Sequence, residues 1–459
     1  MTDTQVHADT QVLKALRKIR MPQTHRNREL ALLLFAFAIN AAATALVQLG
    51  ALGSIDATFL YYCGGLTVLV LALHIVLRIT ASAADPFVVP IATVLSGLGI
   101  AMIYRIDLAE GDTGWAALSI RQLVWSAIAI AGAIAVVLLL RNYRVLFRYT
   151  YLFGLAGVVL LLLPFVPGLG TNANADVWVS VAGIFSFQPG ELAKIALAIF
   201  FAGYLVRTRE ALTSVGTRFL GITWPRAREL GPVLVVWLVS LAIIVLQRDL
   251  GTGLLIFGMF IAMIYVATGK TSWVIIGVVL AVTGAYAASQ VLTYVGLRFR
   301  AWLDAFNPAL MDNASHQLVN GIFGLAQGGL IGTGLGQGRP QLTALARSDF
   351  IFPSLGEELG VIGVFAILCL YMVFVSRGIR IGIAGQDDFG KLLATGLSFT
   401  IALQVFIMVG GVTRVIPLTG LTTPFLAAGG SSLVANWIIV ALLLRISDAV
   451  RSRPRVVIG

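Results

Sequence analysis

Hydrophobic positions in this chain fall in long continuous runs divided by short polar interruptions, without the period-two alternation of membrane β-strands. A run of about 17–24 apolar residues is long enough to cross a bilayer as a helix. Twelve such runs lie near 30–50, 58–78, 87–104, 121–140, 147–166, 188–206, 231–247, 250–268, 272–291, 353–376, 391–412 and 430–446. Lipid offers the backbone no hydrogen-bonding partner, so this pattern predicts an all-α polytopic membrane protein. Residues 1–29 are polar and basic, and the first run carries no small-residue cleavage site, which predicts an uncleaved first span. A second short tail covers 447–459.

Three connections stand out. Two are long, at 167–187 and 292–352, and a loop of the second size is usually functional or disordered. The 292–352 stretch is rich in glycine and partly apolar, which speaks against disorder. The third, 413–429, is apolar but broken by Pro417, Gly420 and Pro424. It is expected to dip into the membrane, where irregular backbone is tolerated only if buried or lining a cavity.

Composition narrows the class further. Of 459 residues, 58% are hydrophobic and only 12% charged, too few charges to solvate a globular surface. A soluble enzyme, a disordered chain and a fibrous repeat are excluded. The net charge of +11 becomes informative once sorted by side. Lys and Arg divide 23 on the side of the termini against 8 on the other, with Lys194 inside a span. This predicts cytoplasmic termini and outward-facing long loops, and it makes the excess a membrane anchor with no call for nucleic acid. Cys63 and Cys369 lie inside apolar runs and form no disulfide framework, and His7, His25, His74 and His316 show no metal-ligand spacing.

Few groups remain that could carry chemistry. Glu191 and Lys194, in FQPGELAK, share one face of a helix at i,i+3. An ion pair at membrane depth reads either as a lock between helices or as a cation oriented toward an anionic ligand. Asp249, in LQRDLGTG, reads as ordinary turn chemistry or, with Arg248, as part of a phosphate site. Arg298 and Arg300 leave the ninth span and precede HQLVNGIFGLAQGGLIGTGLGQGRP. Its glycines suit backbone approach to phosphate or close helix packing, but no βαβ context exists for a nucleotide fingerprint. Asp349, in ARSDFIFPSLGEELG, stands at a polar–apolar boundary ahead of Glu357 and Glu358. It reads as a helix N-cap or as a general base of raised pKa.

Taken together, these segments resemble the SEDS family (shape, elongation, division and sporulation; the RodA, FtsW and SpoVE proteins). The matching pieces run in family order: Trp178 in DVWVSVAG, then FQPGELAK, DLGTG, HQLVNGIFGLAQGGLIGTGLG, SDFIFPSLGEELG and PLTGLTTPFLAAGGSSL. They cover about residues 86–446, the ten-span family core, and leave 30–85 as two additional N-terminal spans. Those spans and the closing GGVTRVIPLTGLTTP are most like the actinobacterial RodA branch. Departures from the family pattern are Val177 for Arg, Gly190 for Ser, Ser348 for Thr, Arg347 where His is common, and Ala427-Ala428 in place of Ser-Tyr.

The resemblance implies a peptidoglycan glycosyltransferase that polymerises lipid II at the outer face of the cytoplasmic membrane during elongation. It implies Asp349 as the essential aspartate and general base. The resemblance carries substrate-binding roles to Glu191, Lys194 and Trp178; Arg298, Arg300, Gln317, Asp249, Glu357, Glu358, Ser431 and Ser432 are further expected substrate-binding candidates. A divalent cation, Mg²⁺ or Mn²⁺, is expected with the diphosphate; its ligands are not assigned, since no carboxylate cluster is visible. Expected partners are a class B penicillin-binding transpeptidase, other elongation-complex membrane proteins and membrane lipid. The alternatives left open are a lipid II flippase, a scaffold for the cross-linking enzyme, and the division-specific FtsW-type paralogue.

Overall fold

Each of the twelve apolar runs is helical in the computed structural model, and apart from a break in the tenth each satisfies its backbone within its own segment. The structure describes residues 19–20, 24–166, 177–181, 185–213, 217–219, 222–225, 230–311, 313–452 and 455–456. Most of the 1–29 and 447–459 tails beyond their helices, and much of the 167–187 connection, lie outside these. The first nine runs are α1 (Arg26–Leu52), α2 (Thr58–Thr80), α3 (Val88–Glu110), α4 (Leu118–Leu139), α5 (Thr150–Leu162), α6 (Pro189–Thr213), α7 (Gly231–Gln247), α8 (Leu250–Thr268) and α9 (Ser272–Val291). The 292–352 connection contributes α10 (Thr293–Leu303) and α11 (His316–Gly328). The last three runs are α12 (Ile351–Ile383), α13 (Asp388–Val412) and α14 (Gly430–Arg451). Ten of the described helices are long and apolar enough to cross a membrane, and α5 and α7 are shorter apolar helices. The strands described are two hairpins, Val179–Val181 with Phe185–Phe187 and Thr217–Phe219 with Ile222–Trp224, and a pairing of the tails. In the last, Ile19–Arg20 runs antiparallel to Arg455–Val456, bringing both tails to one end.

The helices sort by burial. α14 is buried along nearly its whole length from Gly430 to Ser447, as is α3 from Val88 to Asp107. α14 packs against α4, and α8 against α6 and α13. α2, α5, α7 and α9 form the periphery, with Leu60, Ile79, Leu155, Val235 and Val282 exposed. Such an apolar rim around an equally apolar interior is what a lipid-facing bundle requires.

Charges lock the two ends. At the end of the tails, fully buried Asp85 accepts from Arg377 (Nε 3.0 Å) and from Arg451. Nearby, Glu29 of α1 pairs with Arg26 at 2.5 Å and meets His74 of α2 at 2.7 Å. At the other end, the Glu358 carboxylate accepts from Arg105 Nε at 3.0 Å and from the N–H groups of Gly336 (2.9 Å) and Gly338 (3.2 Å).

Gly360 breaks α12, with φ +68°. The freed backbone groups are taken up by the glycine-rich stretch. Thr333 and Gly334 donate to the carbonyls of Glu357 and Glu358 at 3.0 Å, while Val361 and Ile362 donate to Gly329 and Leu330 at 3.0 and 3.2 Å. Side chains on Gly328 or Gly332 would sit 2.1 Å from Gly356 O and 2.2 Å from Glu358 O. Of the two readings open for these glycines, the structure supports close packing.

The 413–429 stretch is irregular, as its proline and glycine content leads one to expect, and is buried mainly over 421–427. Neighbouring side chains satisfy its backbone: Gln404 donates to Thr422 O at 2.9 Å and Gln122 to Ala427 O at 3.1 Å.

Gly332 holds φ +84°. Gly332→Ala is expected to cost about 1–3 kcal/mol from backbone strain alone, with the clash in addition. Thermal unfolding of the purified protein should show a clear drop. Gly132→Ala in α4, where an added Cβ meets nothing within 4 Å, should show none. Equal midpoints for the two variants contradict this account of the loop.

Candidate functional site

Asp349 lies in the turn before α12 and is partly buried. It is not the N-cap of that helix; Phe350 occupies the position, with no side-chain cap bond. Its carboxylate faces the irregular 413–429 stretch at Gly420. A methyl placed on Gly420 would stand 3.7 Å from Asp349 Oδ2 and 4.0 Å from Arg298 Nη2. Gly420 has φ +82°, a left-handed conformation that favours glycine, while the space beside it would admit a methyl at ordinary contact distances. Arg298, on α10, is fixed by donating from Nη1 to Thr419 O at 2.9 Å.

Electrostatics follow from this placement. Withdrawal from water raises the Asp349 pKa to about 6. The Arg298 guanidinium pulls in the opposite direction, and the Asp249 carboxylate adds to the rise. Asp249 is the N-cap of α8, accepting from Thr252 N at 2.9 Å. Burial raises its pKa also, partly offset by Thr252 and Arg298 and reinforced by Glu191. The turn reading of Asp249 therefore holds, and the same carboxylate also belongs to the field around Asp349.

Behind it lies the Glu191–Lys194 pair on α6. Lys194 Nζ is 2.5 Å from Glu191 Oε2 and donates to Gln404 Oε1 of α13 at 3.0 Å. Gln404 ties the lysine to the irregular stretch through Thr422, whose hydroxyl donates to Ser432 Oγ at 3.1 Å. Ser431 Oγ accepts from Gln188 N at 2.9 Å, joining the start of α14 to the start of α6.

The remaining candidates stand apart. Trp178 lines a cavity of about 440 Å³ with Gln122, Trp125, Arg347 and Ser348, beside Asp349. Arg300 is exposed on α10, and Gln317 is partly buried on α11 without a link to Asp349. Glu358 is occupied by Arg105 and the loop amides, while Glu357 accepts from Arg339 N at 2.6 Å and borders a separate cavity.

Four residues of the site were not among the sequence candidates. Gln404 and Gly420 are described above, as is Thr419. Arg347 is the fourth: its Nη2 lies 3.3 Å from Asp107, 2.5 Å from Glu110 and 2.9 Å from Asp112, and its carbonyl accepts from Ala428 N at 2.7 Å. It clamps the Asp349 turn to α3 and to the irregular stretch. A polar Gln404 inside an apolar run was the one available signal.

Beside this centre runs an apolar groove of about 270 Å³ between α7, α8 and α9, reaching Pro417 and Thr419. Its far end therefore abuts the carbonyl that holds Arg298.

Residues 86–452 match the cell cycle protein family of FtsW, RodA and SpoVE. The chain is 43% identical over 442 residues to the peptidoglycan glycosyltransferase RodA of Mycobacterium tuberculosis, covering 94% of this chain and 93% of that one. Coverage of that extent reaches beyond the family core into α1 and α2. A probable peptidoglycan glycosyltransferase FtsW from Geobacter metallireducens is 34% identical over 330 residues, covering 71% and 84%. Among solved structures, a chain from a peptidoglycan synthase complex that coordinates polymerization and crosslinking matches with a TM-score of 0.62. It is 24% identical and covers 80% of this chain and 98% of that one, a likeness of fold.

Removing one partner of a buried ion pair leaves the other uncompensated and costs about 3–5 kcal/mol. Lys194→Met is therefore expected to lower the unfolding midpoint strongly, and Glu191→Gln combined with Lys194→Met to recover most of the loss. A single variant as stable as the parent contradicts this reading of the pair.

Proposed function

The chain belongs to the FtsW, RodA and SpoVE family, and on that premise we propose that it is a multi-pass membrane glycosyltransferase of the RodA type that polymerises lipid II into peptidoglycan glycan. The greater identity and coverage of the mycobacterial RodA, against the FtsW relative, support elongation over division. The 23-to-8 division of basic residues supports a site facing outward with both tails cytoplasmic.

The carrying observation is the Asp349–Arg298 juxtaposition across Gly420. Coupling joins an acceptor sugar hydroxyl to the anomeric carbon of the donor. As that C–O bond forms, the bond to the diphosphate breaks and the hydroxyl proton leaves. Asp349 takes the proton; a carboxylate with a pKa of about 6 is ionised at neutral pH, yet more basic than an ordinary one. Arg298 faces the same space and stabilises the negative charge gathering on the leaving diphosphate. Lys194 supplies a second positive charge behind it. The apolar groove by Thr419 takes the start of the polyprenyl tail.

Among the described residues no group of three or more metal-ligating side chains exists. A Mg²⁺ or Mn²⁺ ion arriving with the diphosphate would then be held by few protein ligands, and Asp249, whose Oδ1 accepts from Thr252 N, would offer one carboxylate. Bound there, it would supply further neutralisation of diphosphate charge. The fold shared with the synthase-complex chain supports a cross-linking partner, a class B penicillin-binding protein, within the elongation complex.

Asp349→Asn is expected to lower glycan synthesis from labelled lipid II by about 10²–10⁴-fold while the protein still inserts and folds. Full polymerisation by that variant contradicts the assignment, and lipid II translocation without any polymer from the parent chain would replace it with transport. The pH profile offers a separate check. A base must be deprotonated, so kcat/KM should fall as pH drops through about 6. Arg298→Gln removes the cation that favours the carboxylate and should move that limb to higher pH. Asp249→Asn should move it to lower pH. A limb that ignores both changes belongs to another group.

A further inference from the structure

A cavity of about 740 Å³ bordered by the described residues takes no part in the chemistry above. It lies between α11, the glycine-rich stretch and the first half of α12. The amides of Asn320, Gln327 and Gln337 and the hydroxyls of Thr333 and Thr343 line it. Phe323 adds an exposed aromatic face. Charge is balanced, with one guanidinium, Arg339, and one carboxylate, Glu357.

Position ties this cavity to the reactive centre. Thr343 lines both it and the 440 Å³ cavity of Trp178. The wall of the latter runs on through Ala344–Ser348, up to Asp349. The two together form a trough at the outer end of the molecule.

The lining selects a ligand class. Amides and hydroxyls each donate and accept hydrogen bonds, as sugar hydroxyls and N-acetyl groups do. An aromatic face suits the C–H face of a sugar ring. A diphosphate would call for concentrated positive charge, and a stem peptide with its carboxylates for a basic lining; a single balanced Arg–Glu set supplies neither. We propose that this cavity is a saccharide subsite that retains the uncharged, N-acetylated sugar backbone of the glycan strand between couplings, with the stem peptides outside it. This rests on the reading of the chain as a glycan polymerase. Release of the strand competes with the next coupling, so retention in the subsite sets product length.

Gly324 is the point at which to test it. An added Cβ there would project between Glu357 Oε2 (3.4 Å) and Thr343 Oγ1 (3.6 Å), both ordinary contacts, and would enter the cavity without meeting backbone. Gly324→Leu fills the space; Asn320→Ala with Gln337→Ala strips its amides and leaves the helix intact. Full-length protein in lipid nanodiscs is given labelled lipid II, and products are resolved by length at matched lipid II consumption. Both variants are expected to give strands about tenfold shorter, equivalent to about 1.4 kcal/mol less retention. An unchanged length distribution in both overturns the proposal. A slower first coupling with unchanged length also overturns it, assigning the cavity to the disaccharide of bound lipid II instead. Absence of any polymer from the parent chain would refute the polymerase reading itself, a result these variants do not mimic.

Discussion

A charge withdrawn from water must meet a counter-charge or shift its proton equilibrium, and the interior of this chain is arranged around that requirement. Asp85 is held by two arginines at the end of the tails. Glu358 is held by Arg105 and two loop amides at the other end. Lys194 has Glu191 and Gln404. Asp349 is the exception. Its cation, Arg298, is committed to a backbone carbonyl, and its second neighbour, Asp249, repels it. The unusual basicity of that carboxylate is the consequence of leaving it incompletely compensated.

The irregular backbone exists to make this possible. A continuous helix through 413–429 would present no carbonyl to Arg298 and no open space at Gly420. An unbroken α12 would leave the glycine-rich stretch without the backbone groups it pairs with at Gly360. Side chains satisfy both irregular segments: Gln404 and Gln122 serve the 413–429 backbone, and Glu358 and Arg105 serve the glycine-rich stretch. Arg347 then joins the two, tying the Asp349 turn to α3 and to Ala428. The proposed site and the fold therefore share the same few polar contacts.

Much of this was legible along the chain. Length and hydrophobicity place all twelve helices, since in lipid a long apolar run has one stable solution. The irregular backbone of 413–429 followed from Pro417, Gly420 and Pro424. A general-base reading of Asp349 did not follow from spacing, which favoured an N-cap; the family motif pointed to it, and the structure gives the cap position to Phe350. The contacts hidden from the sequence are those between distant positions. Arg347 meets carboxylates more than 230 residues away, and Gln404 meets Lys194 across 210. The break at Gly360 sits in an apolar stretch, where a glycine reads as helix packing. The glycines of 328–338 gave a true signal of close approach whose target, a broken helix, no local pattern reveals.

The central claim is that Asp349 holds its proton more tightly than an exposed aspartate because it is drawn out of water beside Asp249. Infrared titration of the carboxyl band, with Asp349→Asn as the reference for subtraction, reads this directly. The account predicts a band that is lost in the variant and titrates at about 6. A midpoint near the ordinary aspartate value of about 3.9 would contradict it.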